Sequence, residues 1–70
     1  MSVDINKLRV GMKIKLSFPN AGYEPEKKQA SNFVDQIFTV SDWEIHGWNT
    51  DIWVEENNLT WNSVQFEEVL

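Results

Sequence analysis

The 70-residue sequence predicts a mostly β fold, a small five-stranded barrel with a long first loop. Three observations carry that expectation. The stretch "LRVGMKIKLSF" alternates apolar and polar residues, the period of a half-buried strand. "QIFTVSDWEI" slips by one residue in that alternation near Ser41–Asp42, which is what a β-bulge produces in a bent strand. Two short turn signals, Gly47–Trp48 and Asn57–Asn58, then join further alternating segments into a meander.

Taken in order, the first strand places Leu8, Val10, Met12, Ile14, Leu16 and Phe18 on one face. Lys7, Arg9, Lys13, Lys15 and Ser17 lie on the other. Gly11 marks a bend or bulge near its start. Two prolines, a glycine and many polar residues make "PNAGYEPEKKQASN" a long loop. Two readings fit residues 25–35. Pro25 with Ala30, Phe33, Val34 and Ile37 at helical spacing supports a short helix, and the composition supports an irregular loop.

A two-residue turn with Gly47 first sets Trp43 opposite Ile52, Glu44 opposite Asp51 and Ile45 opposite Thr50. A second two-residue turn at Asn57–Asn58 sets Val54 opposite Trp61 and Trp53 opposite Asn62. The inner face then gathers Trp43, Ile45, Ile52, Val54 and Trp61. The outer face sets Trp53 among Asp42, Glu44, Asp51 and Glu55, with Trp48 at the turn. Parity changes again after Trp61, so a single turn at Asn62–Ser63 is expected before Val64 and Phe66. "VQFEEVL" closes the chain as a short strand, or as one helical turn plus a strand.

This order of segments resembles the Src-homology-3-like (SH3-like) small barrels. Their plan runs through an apolar–x–apolar–Gly opening, a long loop, three meandering strands, one helical turn and a closing strand. "LRVGMKIKL", the 19–32 loop, "QIFTVSDWEI", "TDIWVEE", "LTWN" and "VQFEEVL" follow it over nearly the whole chain. The resemblance implies a fold and no single function, because such barrels host many. Only "GYEPEKK" stands where the proline-peptide-binding members carry an aromatic and acidic motif, so that activity is not expected.

A chain this short forms one domain, residues 1–70, and buries only roughly 60% of the surface its unfolded form exposes. It has no cysteine, so one hydrophobic core holds the fold without disulfide or thiolate–metal support. No apolar run follows a basic head, and no stretch approaches the roughly 20 apolar residues of a membrane span. A cytoplasmic protein is expected, in the host cytoplasm if phage-encoded.

The net charge of −5 is unevenly distributed. Residues 1–28 carry all six bases against three acids, and residues 29–70 carry eight acids and no lysine or arginine. Nothing reads as catalytic. The lone His46 adjoins a turn glycine, no Gly-x-Ser-x-Gly pattern occurs, and adjacent acids on a strand point apart. Asp42, Glu44 and His46 share a side but lack a recognised metal spacing, so neither a metal nor a cofactor is expected. An enzyme is therefore not expected.

The expected function is protein binding. Trp53, Trp48, Asp42, Glu44, Asp51 and Glu55 form an acidic face for a partner with a basic surface. Size and charge resemble those of small acidic phage proteins that disarm host enzymes or defence complexes. That class likeness implies an inhibitor presenting phosphate-like carboxylates to a nucleic-acid groove. Nucleic-acid binding through Lys7, Arg9, Lys13 and Lys15 is the alternative, opposed by the acidic field. A third reading is a structural homo-oligomer in which the basic strand of one copy meets the acidic face of the next.

Overall fold

The computed structural model describes residues 2–70. Five antiparallel strands run β1 (Lys13–Leu16), β2 (Ile37–Ile45), β3 (Thr50–Val54), β4 (Thr60–Asn62) and β5 (Phe66–Glu68), in the spatial order β4-β3-β2-β1-β5. One helix, α1 (Glu24–Ala30), interrupts the long first loop. Two single 3-10 turns, Ile5–Lys7 and Ser63–Gln65, precede β1 and β5.

The long β2 organises the sheet because it pairs with two partners. Its first part meets β1, with Phe38 opposite Ile14, and its second part meets β3, with Trp43 opposite Ile52. The register shifts between Val40 and Asp42, at the expected bulge. Phe38 and Val40 point inward before it and Trp43 packs on the core after it. One extra residue thus lets a single strand serve both halves of a bent sheet.

Ile14, Leu16, Val40, Ile52, Trp61 and Phe66 are essentially sealed from solvent. Phe33 meets Trp61 edge-on at 5.5 Å and 87°, and Trp61 meets Phe66 at 5.6 Å and 87°. Edge-to-face contacts of this kind favour the ring quadrupoles and add to the area buried. The loop is fastened to this core. Buried Gln65 donates from Nε2 to the carbonyls of Pro19 (3.1 Å) and Glu26 (3.2 Å). Gln29 Nε2 donates to the Thr60 carbonyl at 2.9 Å, so α1 occupies hydrogen-bonding groups at the β4 edge.

Several expectations are corrected. The regular part of the first strand is only four residues long. The chain turns at Gly11, where φ is +89°, and Val10 is left 70% exposed instead of facing inward. The helix is real but ends at Ala30, so Val34 and Ile37 leave the helical spacing and are exposed. Asp35, at φ 65°, turns the chain from this segment into β2.

The β2–β3 register is the expected one, but Gly47 does not adopt the positive φ of a glycine-first hairpin turn. The turn is tied by His46 N–H donating to the Asn49 carbonyl at 2.8 Å. The β3–β4 register differs by two residues, with Ile52 opposite Trp61 and Trp53 opposite Thr60. The connection is longer because Asn57 acts as an anchor instead of a turn centre. Its Oδ1 accepts from Leu59 N–H (3.0 Å) and Trp61 Nε1 (3.1 Å). A two-residue slip preserves parity, so Ile52, Val54 and Trp61 remain inward. Ile45 also lies on the inward face, yet it is 56% exposed because β2 extends past the packed end of the barrel. Beyond Trp61 the chain takes the helical-turn form, which exposes Val64 and buries Gln65.

Candidate functional site

Strand alternation places Asp42, Glu44, Asp51, Trp53 and Glu55 on the outer face of the β2–β3 hairpin. Two cross-strand rows build it. Asp42, Trp53 and Thr60 form one row, and Glu44, Asp51 and Asn62 form the next. Trp53 is half-buried, and its Nε1 donates to Thr60 Oγ1 at 3.0 Å. The indole lies along the sheet with its polar edge already bonded. Asp42 is held by Trp43 N–H at 2.8 Å, and Glu55 stands exposed at the strand's end.

Glu44 directly opposes Asp51, a like-charge pairing that disfavours the sheet. His46 relieves it. Its Nε2 lies 3.1 Å from Asp51 Oδ2 and 3.5 Å from Glu44 Oε1. Asn49 Nδ2 donates to the other Asp51 oxygen at 2.9 Å. The histidine is thus half-buried, not an exposed turn residue as its position beside Gly47 implied. Its imidazole carries Trp48, whose ring stacks on it at 4.9 Å with planes 10° apart. Trp48 remains 74% exposed. The sequence placed Trp48 at the tip but gave no sign of this stack, which depends on the side chains of a four-residue turn.

The basic residues do not form one continuous stripe. Lys7 ends the first 3-10 turn and Arg9 precedes the bend at Gly11, whereas Lys13 and Lys15 follow it on β1. Arg9 pairs with Glu68 at 3.4 Å. Lys13 donates to Thr39 Oγ1, which in turn donates to Glu56 Oε2 at 2.8 Å. Lys15 lies directly across from Glu67. Acids from the second half of the chain therefore sit beside three of these bases.

Among the described residues, no group of three histidine, cysteine, aspartate or glutamate side chains is arranged to hold a metal. No helix is long and apolar enough to cross a membrane. A family model described as bacteriophage T4 protein Y07B matches residues 12–69. The chain belongs to that family. The match runs from the first core residue of β1's approach, Met12, through β5, so the family pattern includes the whole sheet and both hairpins. No curated protein and no solved structure matches the chain significantly.

Proposed function

We propose that this phage-family protein is a non-catalytic binding module. It docks its acidic β2–β3 hairpin on a basic surface of a partner protein, in the host cytoplasm. The preferred partner class is a host nucleic-acid-binding or defence protein, whose groove the carboxylates occupy in place of phosphates. The SH3-like reading of the barrel belongs to this proposal. The order β4-β3-β2-β1-β5, with a helical turn before the last strand, is compatible with it.

The observation that carries the reading is Trp48. A large indole stands 74% exposed, yet is held by the stack on His46, which is itself tied to Asp51. Such preordering lowers the entropy lost when the side chain is buried in a partner. Carboxylates around it steer a basic surface into place. Nucleic-acid binding is less well supported, since Arg9 and Lys13 already engage acid-linked networks and the net charge is −5.

The test is affinity capture from host extract with the tagged chain, with protein and nucleic acid both identified in the eluate. A basic protein that elutes as salt rises, and is not retained by Trp48→Ala, supports the reading. Equal capture by Trp48→Ala, or retention of nucleic acid alone, refutes it.

A further inference from the structure

A cleft of about 420 Å³ opens at the end of the barrel, between the N-terminal segment, the overhanging β2–β3 hairpin and the second 3-10 turn. Val3, Ile5 and Val64 line it, with Thr50 and Asn49 on the hairpin side and Asp4 at the N-terminal side. Ile45 lies directly across from Thr50 on the same strand face and is 56% exposed. Val64 is 39% exposed, although the turn that holds it is flanked by buried Ser63 and Gln65.

The electrostatics of the cleft have one sign. Its lining contains an aspartate and no lysine or arginine, and His46 in its wall leads to Glu44 and Asp51. Asn49 contributes a further feature. Its Nδ2 is committed to Asp51, while its Oδ1 is shielded from solvent and has no hydrogen-bond donor among the described residues. A buried acceptor without a partner is a local instability in the cleft wall.

From this apolar floor and acidic surround, we propose that the cleft is the anchoring subsite for a partner's basic extended segment. An apolar side chain of that segment seats on Val3, Ile5 and Val64, and flanking lysines or arginines face Asp4 and the Glu44–Asp51 pair. This rests on the docking reading above and adds to the Trp48 tip a second anchor at the barrel end. The N-terminal wall ends at Ile5, more than forty positions before His46, and Thr50 is thirteen before Ser63, so only the fold brings the three walls together.

The test is a titration of the ¹⁵N-labelled full chain, followed by amide shifts, with three capped seven-residue peptides: alternating Lys–Leu, alternating Glu–Leu and all-Lys. Saturating shifts at Val3, Ile5, Asn49, Thr50 and Val64 are expected with Lys–Leu alone. Val64→Asp, a change at an already exposed position, is expected to weaken that binding at least tenfold without altering the remaining spectrum. Equal effects of all-Lys, or Lys–Leu shifts confined to the Asp42–Trp53 face, overturn the cleft proposal and leave the acidic docking reading standing. No response of either region to any basic peptide overturns both.

Discussion

Glu56 grips Thr39 twice, accepting from its backbone N–H and from its hydroxyl, each at 2.8 Å. The carboxylate of the β3–β4 connection thereby closes over β2, next to the bulge, and Lys13 completes the chain through the same hydroxyl. Burial pushes the Glu56 carboxyl up, but the two Thr39 bonds and the Lys13 charge outweigh it and hold its pKa below the ordinary 4.5. A carboxylate favoured in the folded state stabilises the fold above its unfolded pKa. That contribution is lost as pH falls through the lower, folded value.

Glu56→Gln is therefore expected to lower stability by about 1 kcal/mol at pH 7, a modest figure because the group is largely exposed. The difference from the parent should shrink as pH drops below the ordinary carboxylate range. Urea unfolding of both proteins at pH 7 and pH 3 checks this. A gap that widens in acid contradicts the linkage.

The glycines provide a second comparison. Gly22 has φ +92°, and a methyl group there would collide with Glu26 Oε1. That oxygen accepts from Tyr23 N–H at 2.7 Å and from Asn62 Nδ2 at 3.1 Å, joining α1 to β4. Gly22→Ala should cost about 2 kcal/mol, from backbone strain and a weakened bridge. Gly47 has open space and no positive φ, so Gly47→Ala should change stability by no more than about 0.5 kcal/mol. Thermal melts of the two variants decide the matter, and equal losses would contradict this account.

These residues also show what the sequence reveals. Alternation with a one-residue slip located the bulge at Ser41–Asp42, because parity is a property of the chain alone. The pairing of Trp43 with Ile52 followed from one turn position. The β3–β4 register did not, because Asn57 and Glu56 spend their side chains on partners as distant as Trp61 and Thr39. The outer acidic face was legible for the same reason as the bulge. The barrel-end cleft was not, since its walls come from three separate segments, and the exposure of Ile45 is hidden by an alternation that assigns it to the core.

Trp61 tests the core. It touches Phe33, Phe38 and Phe66, and its Nε1 donates to Asn57 Oδ1 at 3.1 Å. Trp61→Phe removes that bond and part of the ring at a site 1% exposed. A loss of about 2–3 kcal/mol is expected. Near-ultraviolet circular dichroism should lose much of its intensity with the fold retained, as read by the far-ultraviolet signal. A variant as stable as the parent would show that this ring cluster does not hold the core.

The two outward tryptophans separate binding from stability. Among the described residues the Trp48 side chain makes no hydrogen bond and rests on His46, so Trp48→Ala should leave the unfolding free energy within about 0.5 kcal/mol of the parent while lowering partner affinity at least tenfold. Trp53 is half-buried and tied to Thr60, so Trp53→Ala should cost about 1–2 kcal/mol of stability. Its effect on affinity should be the smaller of the two, because much of its surface is already covered in the free protein. Chemical denaturation alongside calorimetric titration of an identified partner measures both. If Trp53→Ala abolishes binding and Trp48→Ala does not, the anchor lies on the sheet face and the tip is incidental.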